Sequence, residues 1–312
     1  MKLSELIAYR NLLTSMSAIS IQRSADIEFN KILHTVGRQP ITLGSSLQDL
    51  TTAHKNICNA HEKFEEYLDQ LKHQLSELIA DAEHPWFAES YRLYEQEMVH
   101  ETVEYILNRR PPIAKETEEF YKNRITRYTS WKHPAMILRP GLETYINIMV
   151  DCDPLYLVDE NYELLMPAIN QHNEVYQKRL RPYVINERRD DDILTMLPDN
   201  QFGLIFAYNF FNYRPFEVIR RYLKEIYQKL KPGGVLAMTI NDCDRDKGVQ
   251  LVEQHFCCYT PGRMVIELAQ SLGFETVFSW TDNGPSTWIE FRRPGELTSL
   301  RGGQTLAKIV SK

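Results

Sequence analysis

YLKEIYQKLKPGGVLAMTI, residues 222–240, is the stretch that decides the fold. Its first half places apolar residues at helical spacing, and its second half is a short continuous apolar run. Pro232 cannot continue a helix, and Gly233 and Gly234 permit the positive-φ turn with which helices commonly end. The stretch therefore predicts an amphipathic helix that ends at the glycines and leads directly into a buried β-strand.

The same alternation extends on both sides of this stretch, from Ala135 onward. Apolar runs of strand length occur at 135–139, 155–159, 183–187, 203–208, 234–240, 275–280 and 287–292. Helix-compatible segments separate the first six, at 142–150, 161–178, 190–196, 215–230 and 261–272. We predict an α/β domain over 131–294, with a doubly wound, mostly parallel sheet of seven strands that ends in an antiparallel hairpin, followed by a tail at 295–312.

The first 130 residues predict an all-α region. Helix breakers, Pro85 and the Pro111-Pro112 pair among them, divide it into segments at 2–36, 43–83, 86–109 and 114–130.

Within the second segment a coiled-coil-like heptad seam spans residues 43–78. One row recurs every seven residues, and a second row follows it four residues later: Leu43, Leu50, Ile57, Phe64, Leu71 and Leu78, then Leu47, His54, His61, Leu68 and Leu75. Two interpretations stay open. The seam packs inside the chain as a hairpin with the 86–109 helix, or it pairs with a second copy or an assembly partner.

Composition narrows the function classes. Hydrophobic residues make up 43% and charged residues 25% of the 312 residues, as in ordinary globular proteins. The net charge of −6 gives no general attraction to nucleic acid, and no apolar run is long enough to span a membrane. Five scattered cysteines and the lack of a secretory-type N-terminus indicate reduced thiols, no metal site and a cytoplasmic protein.

The helix-Lys-Pro-Gly-Gly-strand pattern at 222–240 resembles the signature ahead of the fifth strand of class I S-adenosylmethionine-dependent methyltransferases. Residues 197–212, LPDNQFGLIFAYNFFN, resemble the fourth strand of that family and the loop after it. Gly203 departs from the pattern, since many relatives carry aspartate there. The resemblance covers 131–294 and implies S-adenosylmethionine as cofactor, bound by loops that follow the strands.

The resemblance also suggests which side chains would hold the cofactor. Asp159 ends the second predicted strand, 18 residues after Gly141, where family members use an acid to bind the ribose hydroxyls; Glu160 follows it. Asp190, after the third strand, corresponds to an adenine contact. Tyr208 and Asn209, after the fourth strand, would face the methyl donor and acceptor. The alternatives are an Asp159 helix cap, a solvated acidic turn at 190–192, and aromatic residues after Asn209 that are ordinary core.

The glycine-rich donor loop of the family is degenerate here. The chain reads Arg139-Pro140-Gly141-Leu142-Glu143, with one glycine in place of three and an arginine in place of the usual acid. Arg139, Gly141 and Glu143 are nonetheless the residues that match the loop. The resemblance therefore implies a donor site that is either divergent or no longer able to bind.

Two functions remain open from the sequence. The first is a methyltransferase that acts on a small molecule or a protein; its catalytic residue is unknown, with His133, Glu143 and Asp242 as conceivable bases. The second is an inactive methyltransferase-fold protein that serves as an assembly scaffold through its helical arm. No Asn-Pro-Pro-Tyr or Pro-Cys motif of nucleic-acid methylases occurs. The pair Asp242 and Asp244 is a weak candidate for a metal-assisted site.

Overall fold

The structure, a computed structural model, describes residues 2–16, 44–99, 115–140, 143–188, 193–281 and 284–298. The chain divides into two compact units, Met1–Pro85 and Trp86–Lys312. The predicted domain boundary at residue 130 stays a prediction. None of the helices in these described ranges has the length and apolar character to cross a lipid bilayer.

The N-terminal unit contains helix α1, Leu3–Met16, and most of helix α2, Gly44–Glu95. The predicted helix break between residues 83 and 86 is wrong, because α2 runs straight through Pro85. A proline inside a helix removes one backbone hydrogen bond, which a helix of 52 residues can absorb. Residues 86–95 therefore continue the seam helix and cannot form a hairpin with it; residues 100–109 lie outside the described part.

The elements of the C-terminal unit follow one another in strand-helix alternation. In chain order they are α3 Lys115–Thr126, β1 Ala135–Leu138, α4 Glu143–Ile148, β2 Leu155–Asp159, α5 Tyr162–Asn170, α6 Glu174–Gln177, β3 Leu180–Val184, β4 Phe202–Ala207, a 3-10 turn Phe211–Tyr213, α7 Phe216–Lys229, β5 Leu230–Asn241, α8 Asp246–Glu253, α9 Gly262–Ser271, β6 Glu275–Thr281 and β7 Ser286–Arg292.

The seven strands form one sheet in the order β3-β2-β1-β4-β5-β7-β6. The first five are parallel, and β7 pairs antiparallel with both β5 and β6. The predicted fold class, an α/β sheet with a terminal antiparallel hairpin, is confirmed. Several details differ from the prediction: β3 begins three residues earlier, α8 was not predicted, the helix predicted at 161–178 forms as α5 and α6, and residues 193–196 form turns instead of a helix.

Apolar side chains cover the sheet on both faces, as the continuous strands β1 and β4 require. Every residue of these two strands is buried. One core contains residues of α7 and α9, such as Leu223 and Val265. The other contains residues of α3, α4 and α5, such as Ile125 and Ile146. The sheet therefore lies between two helical layers, and its strand ends are left to form a site.

The junction between α7 and β5 forms differently from the predicted helix-ending glycine turn. The helix ends at Lys229 and the strand begins at once, because Leu230 is already extended, with ψ 142°. Gly233 does have a positive φ of 79°, but it lies inside β5, where a Cβ would approach the backbone nitrogen of Leu297 to 2.5 Å. Arg293 instead binds the end of the helix: its Nη1 donates to the carbonyl oxygens of Leu230 at 2.6 Å and Tyr227 at 3.1 Å.

Candidate functional site

The sheet topology has a switch point where the chain reverses direction across the sheet. The order runs outward from β1 to β3 and then returns to β4 on the other side of β1. In open α/β sheets, ligands bind at such a switch point, outside the carboxyl ends of the strands. Leu138, the last residue of β1, is level with Val158 of β2 and Ala207 of β4. The residues that follow these three positions are Arg139, Asp159 and Tyr208.

The carboxylate of Asp159 is fully buried at this edge of the sheet. Its Oδ1 accepts the backbone N–H of Asn161 at 2.9 Å, and its Oδ2 lies 3.5 Å from Nε of Arg139. The alternative role of Asp159 as a helix cap is wrong, because Asn161 caps α5 by accepting the N–H of Glu163 at 2.8 Å. A buried carboxylate that caps no helix fits the acid that binds a nucleoside ribose.

Arg139 occupies the position at which the methyltransferase family carries an acid. Its side chain is 7% exposed, and its backbone adopts φ 56°, a left-handed conformation that costs a non-glycine residue free energy. The guanidinium carbon lies 5.4 Å from the centre of the Phe210 ring. Arg139 thus sits at the end of β1 as an internal counterion to Asp159.

The negative charge of Glu160 is neutralised by a second arginine, Arg214, which the sequence analysis did not predict. Nη2 of Arg214 lies 3.5 Å from Oε2 of Glu160, and Arg214 is fully buried. Its Nη1 donates to the carbonyl oxygen of Phe210 at 2.7 Å, and its guanidinium stacks 3.6 Å from the centre of the same ring. The cation that contacts an aromatic ring in this loop is therefore the chain's own arginine.

Arg214 has its strongest contact with Glu187, which lies beyond the end of β3. Nε of Arg214 donates to Oε2 of Glu187 at 2.5 Å, and the hydroxyl of Tyr222 donates to the same oxygen at 2.5 Å. Tyr94, at the end of α2, donates to Oε1. Burial raises the pKa of Glu187, but the charge of Arg214 and the tyrosine hydroxyls outweigh it and hold the pKa below its ordinary value. A charged, fully hydrogen-bonded carboxylate results.

Tyr208 and Asn209 follow β4 as predicted, beside Arg139 and Asp159. Tyr208 is 8% exposed, and its ring lies 5.0 Å from that of Tyr145 and 5.5 Å from that of Tyr121. Asn209 has φ 47°; its N–H donates to Oγ1 of Thr239 at 2.7 Å. The left-handed backbone turns the chain at the switch point, and the side-chain Oδ1 of Asn209 accepts a hydrogen bond from Nδ2 of Asn212 at 3.1 Å.

The interpretation of the following aromatic residues as core is confirmed. Phe210 and Phe211 are both fully buried and belong to the core that contains α7. Neither ring is open to a ligand.

Three predicted residues fall wholly or partly outside the part of the chain that the structure describes. Gly141 and Asp190 lie outside the described residues, and Glu143 is the first residue of α4, with its side chain outside the described part.

His133 lies at the opposite edge of the sheet, ahead of β1, with Nδ1 3.4 Å from Nζ of Lys231. Burial and the charge of Lys231 lower the pKa of His133, so it is neutral at pH 7. Because His133 precedes β1 and so lies away from the carboxyl ends of the strands, it is not positioned to act as the base of this site.

Asp242 is buried at the end of β5, but it has structural partners. Its Oδ1 accepts the N–H groups of Gly262 and Asp244 at 2.9 Å each, and its Oδ2 accepts the hydroxyl of Thr287 at 2.7 Å. The carboxylate of Asp244 binds Arg263. No group of three or more metal-ligating side chains occurs among the residues that the structure describes. The pair at 242 and 244 is thus occupied in holding α9 and β7 to β5.

One family model matches part of the C-terminal unit. Residues 164–238, from α5 into β5, match the family model described as a methyltransferase domain. No curated protein matches the chain significantly. The match and the topology give the C-terminal unit a class I methyltransferase-like fold.

Solved structures similar to this chain include three methyltransferases. An S-adenosylmethionine-dependent methyltransferase from Mesorhizobium loti is 13% identical, with 56% of this chain and 97% of that chain covered and a TM-score of 0.45. The N-methyltransferase NodS from Bradyrhizobium japonicum is 14% identical, covers 58% and 98%, and has a TM-score of 0.43. A methyltransferase from Aquifex aeolicus is 13% identical, covers 66% and 98%, and has a TM-score of 0.42.

Proposed function

We propose that the C-terminal unit, which has a class I methyltransferase-like fold, is an S-adenosylmethionine-dependent methyltransferase domain in which Arg139 competes with the methyl donor. The acceptor is a small molecule or a protein. The observation that carries the proposal is the fully buried Asp159 carboxylate at the switch point, with one oxygen bonded to the backbone and the other facing Arg139. The match of residues 164–238 to a methyltransferase domain supports it.

The residues at the strand ends fit the donor in part. In this proposal Asp159 accepts hydrogen bonds from ribose hydroxyls, and Tyr208 and Asn209, which follow β4, lie beside the donor. S-adenosylmethionine supplies a reactive sulfonium methyl group when it is bound. The protein would contribute alignment of donor and acceptor, through the strand ends and the side-chain amide of Asn209, which is hydrogen-bonded to Asn212.

Arg139 is the feature that opposes binding. Its guanidinium lies 3.5 Å from Oδ2 of Asp159, the oxygen that a ribose would need. The two opposite charges stabilise each other at a buried position. Binding therefore requires the arginine to leave Asp159 for solvent or for another partner. The proposed site thus binds its donor more weakly than a site in which the acid is open.

Calorimetric titration with S-adenosylmethionine and S-adenosylhomocysteine tests this arrangement. Arg139→Gly removes the competitor and relieves the left-handed backbone, so we expect affinity to rise at least tenfold, about 1.4 kcal/mol. Asp159→Asn in the Arg139→Gly background should abolish that gain. Arg181→Ala, which removes an exposed arginine on β3, is the matched control and should leave affinity unchanged. Equal or weaker binding by Arg139→Gly contradicts the competition.

A scaffold function is the second candidate, because both acids at the end of β2 have internal arginine partners. A fold that no longer binds a ligand would need such a partner in order to keep the carboxylate of Asp159 buried. This function predicts no heat of binding for either ligand, in the wild type and in Arg139→Gly alike.

We also propose a reducing, cytoplasm-like compartment. All five cysteines are free thiols, and four of them are buried: Cys152, Cys243, Cys257 and Cys258. Free buried thiols are typical of compartments that keep cysteine reduced.

A further inference from the structure

The two rows of the heptad seam in α2 have different surroundings. Leu68 and Leu75, from the second row, are 3% and 9% exposed. In the first row, Ile57, Phe64, Leu71 and Leu78 are 38–55% exposed. The second row is therefore satisfied within the molecule, whereas the first row presents four large apolar side chains at seven-residue spacing.

A further row completes an outer seam on the exposed side. Ala60, Tyr67 and Gln74 follow the first row three residues later, and Tyr67 is 66% exposed. Residues 57, 60, 64, 67, 71, 74 and 78 thus alternate in steps of three and four, as the contact side of a coiled-coil helix does. This outer seam is distinct from the inner one that Leu68 and Leu75 form.

A groove beside the outer seam extends its apolar surface. It has a volume of about 310 Å³ and lies between α1 and α2. Its walls are apolar except for one glutamine: Tyr9, Leu12, Leu13, Leu71, Gln74, Leu75 and Leu78. Tyr9 and Leu12 are each more than half exposed. Contiguous apolar surface of this kind marks an interaction site.

We propose that the outer seam pairs with the outer seam of a second copy of this chain, antiparallel about a two-fold axis. The charged residues beside the outer seam favour a second copy as the partner and an antiparallel direction of the two helices. In an antiparallel pair with Leu71 facing Tyr67 of the second copy, Lys63 faces Glu77 of that copy, and the symmetry repeats the contact. The two helices then gain two ion pairs of opposite charge at the edges of one apolar interface.

Parallel pairing in register offers no such match. In a parallel coiled coil the positions that flank the seam pair residues five apart in the two copies. Lys63 would then lie beside Leu68 of the second copy, and Glu77 beside Ala82 of the second copy. Within its own chain, Glu77 lies 3.4 Å from Nε2 of His73, and both side chains are well exposed, so the carboxylate is accessible to a lysine. Of the two directions, only the antiparallel pair both buries the apolar row and brings Lys63 and Glu77 of opposite copies together.

The oligomeric state of the full chain tests the proposal, independently of whether the donor site binds. Light scattering should give twice the chain mass of 36.6 kDa for the wild type at micromolar concentration. Leu71→Glu should give the monomer mass. Ala80→Glu, on an exposed residue roughly half a turn around the helix from Leu71, is the matched control and should stay dimeric. Circular dichroism checks that each variant keeps its helix.

A charge swap tests the direction and the identity of the partner. Lys63→Glu and Glu77→Lys should each weaken the dimer several-fold, and the double variant should restore it, because the swapped charges again face one another. A monomeric wild type overturns the proposal. The partner of the groove would then be residues 17–43 of the same chain or another protein. A Leu71→Glu dimer overturns it as well, and a double swap without recovery overturns the antiparallel register.

Discussion

Replacing Arg214 by methionine is the perturbation whose result follows most directly from the packing. Arg214 and Glu187 are both fully buried, and Nε of the arginine donates to the carboxylate at 2.5 Å. Methionine has similar length and no charge, so it fills the space and leaves Glu187 without its counterion. Removal of one partner from a buried pair typically costs about 3–5 kcal/mol. We expect Arg214→Met to lower the free energy of unfolding by that amount at pH 7.

The pH dependence of this loss identifies its cause. In the wild type the pKa of folded Glu187 lies below its value in the unfolded chain, which is about 4.3. The charged carboxylate therefore stabilises the fold above about pH 4.3, and this stabilisation is lost as pH falls through the pKa of the folded state. In Arg214→Met the two tyrosine hydroxyls remain but the opposing charge is gone, so the pKa of Glu187 rises, and the penalty for its charged form shrinks as pH falls. The difference between the two proteins should therefore shrink between pH 7 and pH 4.

Urea unfolding, followed by circular dichroism across this pH range, measures both effects. The double variant Arg214→Met, Glu187→Gln is the control, because a neutral amide still accepts from Tyr94 and Tyr222. It should recover about 2 kcal/mol relative to Arg214→Met alone. A loss below about 1 kcal/mol at pH 7, or a loss that does not change with pH, refutes the reasoning.

Two further perturbations test the fold at the base of the sheet. Arg293→Ala should lower the free energy of unfolding by about 1.5–3 kcal/mol in urea titrations, because it leaves the carbonyl oxygens at the end of α7 without their charged donor; an unchanged midpoint would contradict this role. Gly203→Asp, which restores the aspartate of the methyltransferase family, should cost about 1–3 kcal/mol, since a Cβ there approaches that of His133 to 2.7 Å. His133→Gly should recover most of that loss in the double variant, and independent effects of the two substitutions would contradict a clash.

The sequence predicts the strands well where burial alone decides them. The cores of β1, β2 and β4 read as continuous apolar runs, and each begins within one residue of its predicted start. β3 is harder, since it is an edge strand in which Arg181 and Val184 are exposed and Pro182 interrupts the run. Its apolar pattern fits 183–187 as well as 180–184, and only its register against β2 distinguishes the two.

The ends of helices depended on partners far away in the sequence. Pro232, Gly233 and Gly234 predict a glycine-ended helix, but Arg293, more than 60 residues later, supplies the donor for α7 and lets β5 start early. Pro85 predicts a break, but α2 continues through it to Glu95. Local composition gives the tendency of a segment, and tertiary contacts decide where it stops.

The sequence predicted some residues of the candidate site and missed others. Asp159, Tyr208 and Asn209 could be placed because they follow strands whose order the resemblance implied. Glu187 and Arg214 could not, because a buried ion pair between residues 27 apart leaves no periodic signal. The contact of Glu187 with Tyr94 spans 93 residues and joins the end of α2 to the strand edge, which no local pattern indicates.

A crystal structure of Arg139→Gly with S-adenosylhomocysteine is the most direct measurement of whether the ends of β1 and β2 form a donor site. We predict ribose hydroxyls within hydrogen-bonding distance of the Asp159 carboxylate and the nucleoside beside Tyr208. Ligand bound elsewhere, or a strand edge without ligand at a saturating concentration, would contradict a methyl donor at this position.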